Sequence, residues 1–381
     1  FSIKNKKFGI VENFNFGFAM NTLNSFNQKN RTVQKTNNSI TSQWLNEAKD
    51  VNGNQDNGFS NDNTSFETIG AYNTWLVNFD NSDSSYSSPI VGSVLQNSIT
   101  IKEGSKREYA LSFGTNLLNK VYLGAALSIP YIKYTSETSF SENDYSKVNV
   151  GFQSFEMIQS YDNSGLGINL KVGVIYKPIN FLRLSVGIQT PTRYSMEEKY
   201  TTDFVSSFDT ANYEFNSDLG NFSYTFITPW RTNAGFALVS KKLGFVSFGY
   251  ELVDYTSTHF DLADDYIDLE STLNDNLKDK YQIAHNFKVG IESKIKKFRI
   301  RGGYAMQTSP LKSSYREGDY DFSRHQFSGG FGFLWKRVSL DATYRYTMSK
   351  EYELSFDGQN GIVKDTDTQL LLFTVGFKLS K

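Results

Sequence analysis

Long strand-like segments of this chain are joined alternately by very short turns, most of them basic, and by long polar loops. The short joints are Leu117-Leu118-Asn119-Lys120, Lys177-Pro178-Ile179-Asn180, Lys241-Lys242-Leu243-Gly244, Lys294-Ile295-Lys296-Lys297 and Trp335-Lys336-Arg337. Between them lie polar stretches at Thr135 to Ser146, Ser195 to Asn221, Asp261 to Asp279, Leu311 to Tyr320 and Glu351 to Asp367. Tight turns on one rim and long loops on the other are the pattern of a transmembrane antiparallel β-barrel, an all-β fold.

Period-two alternation supports this reading. Val338, Leu340, Ala342, Tyr344, Tyr346 and Met348 alternate with Ser339, Asp341, Thr343, Arg345 and Thr347, long enough to cross a bilayer at a barrel's tilt. Leu371, Phe373, Val375, Phe377 and Leu379 share a face. Phe298, Ile300, Tyr304 and Met306 oppose Arg299, Arg301 and Gly303. The pattern predicts twelve strands, at roughly 7–24, 99–117, 120–137, 154–177, 181–195, 221–240, 244–259, 281–294, 297–309, 320–335, 338–355 and 367–380. An even count puts both chain ends on the short-turn side, the periplasm. All 381 residues then form a single outer-membrane domain.

No apolar run reaches the roughly 18 residues a membrane helix needs. The 15% aromatic content, with 32 Phe and 23 Tyr, suits strands and interfacial girdles. Zero cysteines fits an oxidising compartment. The chain opens on Phe1 with neither an initiating Met nor a signal peptide, so a mature form or a fragment is expected.

The segment 25–97 is too long for a plain loop and too polar for a strand pair, and is expected to form an extracellular insertion with small helices. Thr64-Ser65-Phe66-Glu67 has capping-box spacing, followed by Phe66, Ile69, Tyr72 and Leu76 at helical intervals. A second short helix is expected over Ser42 to Lys49, with Trp44, Leu45 and Ala48 on one face. Trp44, Leu45, Phe66, Ile69, Tyr72, Trp75 and Leu76 are candidates for an apolar ligand-landing surface. The plainer reading makes them a miniature core.

Charged residues at strand positions have to avoid lipid, because an Arg or Lys facing it costs about 2–4 kcal/mol near the midplane. Arg183, Glu251, Lys288, Glu292, Arg299, Arg301, Asp341 and Arg345, with Lys171 and Lys378, are therefore expected to line the lumen, as interior ion pairs or as substrate contacts. Pro130, Pro191 and Pro229 mark strand ends or kinks.

Particular stretches resemble the outer-membrane protein transport family that includes the long-chain fatty-acid transporter and toluene-type hydrocarbon channels, in its Bacteroidetes branch. They are Val172 to Pro178, Leu182 to Tyr194, Thr228-Pro229-Trp230-Arg231, Ile300 to Tyr304 leading to Ser309-Pro310, and Ile69 to Leu76. The resemblance implies a barrel of about fourteen strands whose N-terminal hatch, with an Asn-Pro-Ala element, gates passive diffusion of an apolar ligand. The hatch, its element and two strands are missing from this sequence, which suggests truncation before Phe1. What the resemblance implies for function is uptake of hydrophobic small molecules from a surface of outer-membrane lipid and lipopolysaccharide, with no cofactor.

Other roles find less support. With 39 Lys and Arg against 40 Asp and Glu, no basic surface argues for nucleic acid. His259, His285 and His325 lack Ser or Asp partners at any catalytic spacing, so an enzyme is not expected. Asp261, Asp264, Asp265, Asp268 and Glu270 do not have EF-hand spacing and read as a solvated loop rather than a metal site. Two alternatives stay open: a scaffold or shuttle holding a protein partner at its extracellular loops in a secretion system, and a general diffusion porin.

Overall fold

The computed structural model describes residues 2–4, 9–53, 55–59, 64–316, 320–335, 337–354 and 361–377. Strands β1 (Ser2–Lys4), β2 (Val11–Ser25) and β3 (Gln28–Thr36) precede helices α1 (Thr41–Asn52) and α2 (Phe66–Asn73) and a ribbon of β4 (Asn78–Asp80) and β5 (Ser85–Ser87). Three long strands follow, β6 (Val94–Leu117), β7 (Val121–Asn143) and β8 (Phe152–Ile179). Next come β9 (Leu182–Gln189), β10 (Arg193–Phe208), β11 (Asn212–Asn216), β12 (Gly220–Ile227), β13 (Arg231–Ser240), β14 (Gly244–Asp254) and β15 (His259–Asp261). Helix α3 (Ile267–Lys280) leads into β16 (Ile283–Ile295), β17 (Phe298–Gln307), β18 (Arg324–Trp335), β19 (Val338–Leu354) and β20 (Gly361–Phe377).

Apart from the β4–β5 ribbon, these strands form one antiparallel sheet, and each of the twelve expected strands has its place in the wall. Some are split: β9 and β10 are two halves of one stave, both paired with β8, and β13 and β12 lie beside them. At the loop end Lys364 Nζ of β20 donates to Asn30 Oδ1 of β3 at 3.0 Å, bringing the last strand to the first part of the sheet. The tight turns have a local cause. Leu118 and Asn119 both take left-handed φ, 51° and 53°, and Lys120 N–H closes onto Leu117 C=O at 3.0 Å. This primed turn matches the twist of the strands it joins.

The structure corrects several loop expectations. Residues 28–36 are strand and pair with 94–102, although the segment 25–97 reads as too polar for a strand pair. Residues 195–208 continue β10 along β8, then turn back as β11, where a loop was expected. Polarity misleads here because these strand ends lie beyond any lipid-facing band. Their burial alternates all the same, with Met196 and Phe204 inside. The stretch 261–279 contains α3 rather than an open loop. Its acidic first turn (Asp268, Glu270) and basic last turn (Lys278, Lys280) complement the helix dipole.

Both expected helices form. In α2 the cap is Ser65, whose Oγ accepts from Thr68 N–H, one residue beyond the Thr64 of the capping box. With β7, β8 and β10 the helices build the apolar core at the loop end: Trp44, Ala48, Ala71, Leu76, Val77, Phe140, Phe155, Met157 and Phe204 are all buried. Trp44 meets Phe155 and Phe204 edge-on, at centroid separations of 5.6 and 5.3 Å. The cap thus stands on the upper part of the barrel wall, against the loop-end halves of β7, β8 and β10.

Candidate functional site

Residues paired across antiparallel strands share a face, so the register sorts the whole wall. One face carries Phe16, Phe113, Val174, Val186, Phe236, Val289, Ile300, Phe331 and Phe373, all exposed and apolar. The other carries Arg183, Glu251, Lys288, Glu292, Arg299, Arg301, Asp341 and Arg345. Acids on this second face are well shielded, with Glu292 and Asp341 side chains 16% and 23% exposed. A charged face more sheltered than the apolar one is the concave interior. Lys378 lies outside the described residues.

Most interior acids are paired. Arg301 Nε donates to Glu292 at 2.7 Å and its Nη1 to Asp341, linking three strands. Lys171 reaches Glu108 across β7. Glu251 takes Asn286 Nδ2 at 2.8 Å and lies 3.7 Å from Arg231. A cavity of about 770 Å³ opens on this face beside Arg183, Ser185, Asn233, Glu251, Lys288 and Arg301. Gly235, Gly249, Gly290 and Gly303 carry no side chain into it.

Above this charged zone the interior turns aromatic. Between β9 and β10, and between β12 and β13, the turns 190–192 and 228–230 break the strands side by side: Thr192 N–H donates to Thr228 Oγ1 at 2.9 Å and Thr228 N–H to Thr192 C=O at 3.0 Å. Pro191 and Pro229 supply these breaks, which switch the inward parity from odd residues to even ones. Phe222, Tyr224 and Phe226 of β12 therefore face inward. Phe260 lies 5.7 Å from Tyr224 and 5.1 Å from Phe226, and Tyr266 meets Phe222 at 5.3 Å. Simple alternation along 221–240 hides this run because the parity changes within it. Pro130 acts differently, sitting within β7 opposite Glu108.

The landing candidates divide by position. Trp44 (4% exposed), Ile69 (7%) and Leu76 (0%) are interior to the cap, and Leu45 and Tyr72 pack against its core. Phe66 is half-buried, its ring tilted against that of Tyr200 at 5.6 Å. Trp75 is 54% exposed, at a left-handed φ of 62°, with its ring 5.9 Å from Tyr213. Tyr72 donates to Asp56 at 2.9 Å, and burial together with that bond pushes its hydroxyl up to about 12.

The histidines and acidic residues are engaged locally. Tyr250 and Tyr304 hydroxyls lie 2.7 and 2.8 Å from Nδ1 of His285 and His325 on the apolar face. Asp261 pairs with Arg193 at 2.9 Å, and Glu270 accepts from Leu262 N–H.

No protein-family model matches the chain, and neither does any curated protein. Among solved structures it is similar to a Pseudomonas aeruginosa FadL homologue, with TM-score 0.49 and 11% identity over 75% of this chain and 74% of that one. The CymD monoaromatic hydrocarbon channel follows at TM-score 0.45 and 12% identity, covering 75% and 79%. The P. putida toluene transporter TodX gives TM-score 0.45 and 11% identity, covering 78% and 84%.

Proposed function

We propose that the chain is an outer-membrane barrel through which hydrophobic small molecules, fatty acids or hydrocarbons, enter by passive diffusion. Its long loops and α1–α2 cap face the exterior, and its short turns and both chain ends face the periplasm. The observation that carries this reading is the aromatic run on the inner face, Phe222, Tyr224 and Phe226 opposed by Phe260 and Tyr266, between the cap and the charged lumen. An interior serving ions alone has no use for such a surface. An apolar solute gains roughly 25 cal/mol for each Å² it buries there, which offsets the poor crossing of a hydrated lipopolysaccharide layer. The sequence resemblance carried by 172–178 and 182–194 points to the same substrate class.

Trp75 and Phe66 are the landing candidates with surface left to offer; Trp44, Ile69 and Leu76 hold the cap together. The paired charges below keep the wall in register. The test is uptake of a labelled long-chain fatty acid by outer-membrane vesicles carrying the protein. Phe226→Ala with Phe260→Ala lowers the rate several-fold at equal barrel abundance. Unchanged uptake, or a rate equal to that of protein-free vesicles for the parent barrel, overturns the reading.

A further inference from the structure

A second chamber lies in the same upper interior, and its chemistry differs from that of the aromatic run. It has a volume of about 770 Å³ and is lined by Phe66, Glu67, Tyr134, Tyr161, Glu198 and Tyr200, with Asp218 at the rim. The register explains the assembly. Ser136, Tyr161, Tyr200 and Gly220 form one inward row across β7, β8, β10 and β12, and Tyr134, Asn163, Glu198 and Phe222 form the next. A Cβ at Gly220 would come within 2.4 Å of the Tyr200 ring, so that ring lies flat on the wall and turns a face to the chamber. Tyr134 and Tyr161 stand edge to face, their centroids 6.0 Å apart.

Charge is the decisive feature. No Lys, Arg or His is among the residues lining the chamber. Glu198 accepts from Tyr161 hydroxyl at 2.6 Å and Glu67 accepts from the Gln159 amide, both neutral donors, and neither carboxylate makes an ion pair among the described residues. Lys133 and Lys199 fall on the opposite face by register, and each pairs there with its own acid, Asp162 and Glu197; Lys102 of β6 shares the inward row through Ser136 but is not among the residues lining the chamber. Asn163, 7% exposed in the row below Tyr161, sits behind the Tyr161–Glu198 pair, with its Nδ2 also 3.4 Å from Glu198. Its Nδ2 donates to Tyr161 and Tyr224 hydroxyls at 3.0 and 2.9 Å, while its Oδ1 has no partner among the described residues.

We propose that this chamber binds an organic ammonium, a primary amine on an apolar stem. Its N–H groups donate to Glu198 and Glu67, and its charge answers theirs. The Tyr and Phe rings take the stem and the cation's flank, as aromatic faces do for alkylammonium groups. The site goes beyond hydrophobic uptake, since it selects charge rather than excluding it.

Isothermal titration of the purified full-length barrel in detergent tests this with hexylammonium, hexanol and glucose as probes. Hexylammonium binds at least about tenfold more tightly than hexanol, a comparison that needs no variant, and Glu198→Gln removes most of that preference. Equal affinity for hexylammonium and hexanol, preference for glucose, or ammonium binding untouched by Glu198→Gln overturns the proposal. Fatty-acid uptake is measured in vesicles carrying the same parent and Glu198→Gln proteins, so loss of one activity is told apart from loss of the other.

Discussion

The backbone N–H of Ile40, at the start of α1, donates to the carboxylate of Glu142 on β7 at 2.8 Å. No side chain of α1 itself caps this helix. Glu142 also accepts from Ser39 hydroxyl and from Gln96 Nε2 at 2.8 Å, and is fully buried. A strand of the wall thus provides the helix cap, coupling the cap to the barrel. Glu142→Ala leaves a buried N–H and a hydroxyl without partners, a cost of about 1–3 kcal/mol for each unsatisfied group. The expected outcome is faster proteolysis within 40–52 while the barrel's β circular dichroism is unchanged.

Two acids in the cap respond to pH in opposite senses. Burial raises the pKa of Glu142, outweighing the bonds from Ser39, Ile40 and Gln96. Its folded form therefore holds a proton more tightly than the unfolded chain, and its contribution to stability falls as pH rises through that window. For Glu47, burial is outweighed by hydrogen bonds from Ser65 and Thr68, so its pKa is lowered. Its contribution is present above the unfolded value and lost as pH falls through the folded one. Cap stability should peak between the two windows. Fluorescence of Trp44, followed during urea unfolding with the other three tryptophans changed to Phe, reports it. Glu142→Gln should flatten the decline on the alkaline side, and a peak unmoved by this change would contradict the assignment.

Arg301 of β17 holds Glu292 of β16 on one side and reaches past β18 to Asp341 of β19 on the other, so removing it leaves both carboxylates without their cation. These side chains are partly solvated, which keeps the expected loss from Arg301→Gln to on the order of 1–3 kcal/mol in barrel stability. Restoring neutrality with Glu292→Gln and Asp341→Asn in the same chain should recover much of it. A urea-unfolding cycle of the three variants measures the coupling.

The twelve-strand wall was legible because two environments impose a period of two on every stave, as Val338 to Met348 show. That rule fails where Pro191 and Pro229 switch the parity, so the inward run of Phe222, Tyr224 and Phe226 could not be read from alternation. It fails again at 28–36 and 195–208, where outward residues meet water and polar sequence no longer excludes strand. Helical spacing did locate Trp44, Ile69 and Leu76, but such spacing marks the face a helix buries, and these residues pack inside the cap. The Glu142–Ile40 bond joins positions 102 residues apart and leaves no local trace.

The two faces of β16 offer the sharpest check on how the wall is oriented. Val289 is exposed on the apolar face between Phe248 and Tyr304, its register partners, while its neighbour Lys288 faces the interior opposite Gly249 and Ala305. If that apolar face meets lipid, Val289→Arg costs about 2–4 kcal/mol near the midplane. Lys288→Arg keeps its charge in a hydrated interior and changes stability by less than about 0.5 kcal/mol. Reversible unfolding from lipid vesicles measures both variants on one scale. Equal small effects would mean that the apolar face is not in contact with hydrocarbon, whatever its composition, and would remove the basis for a membrane-spanning barrel.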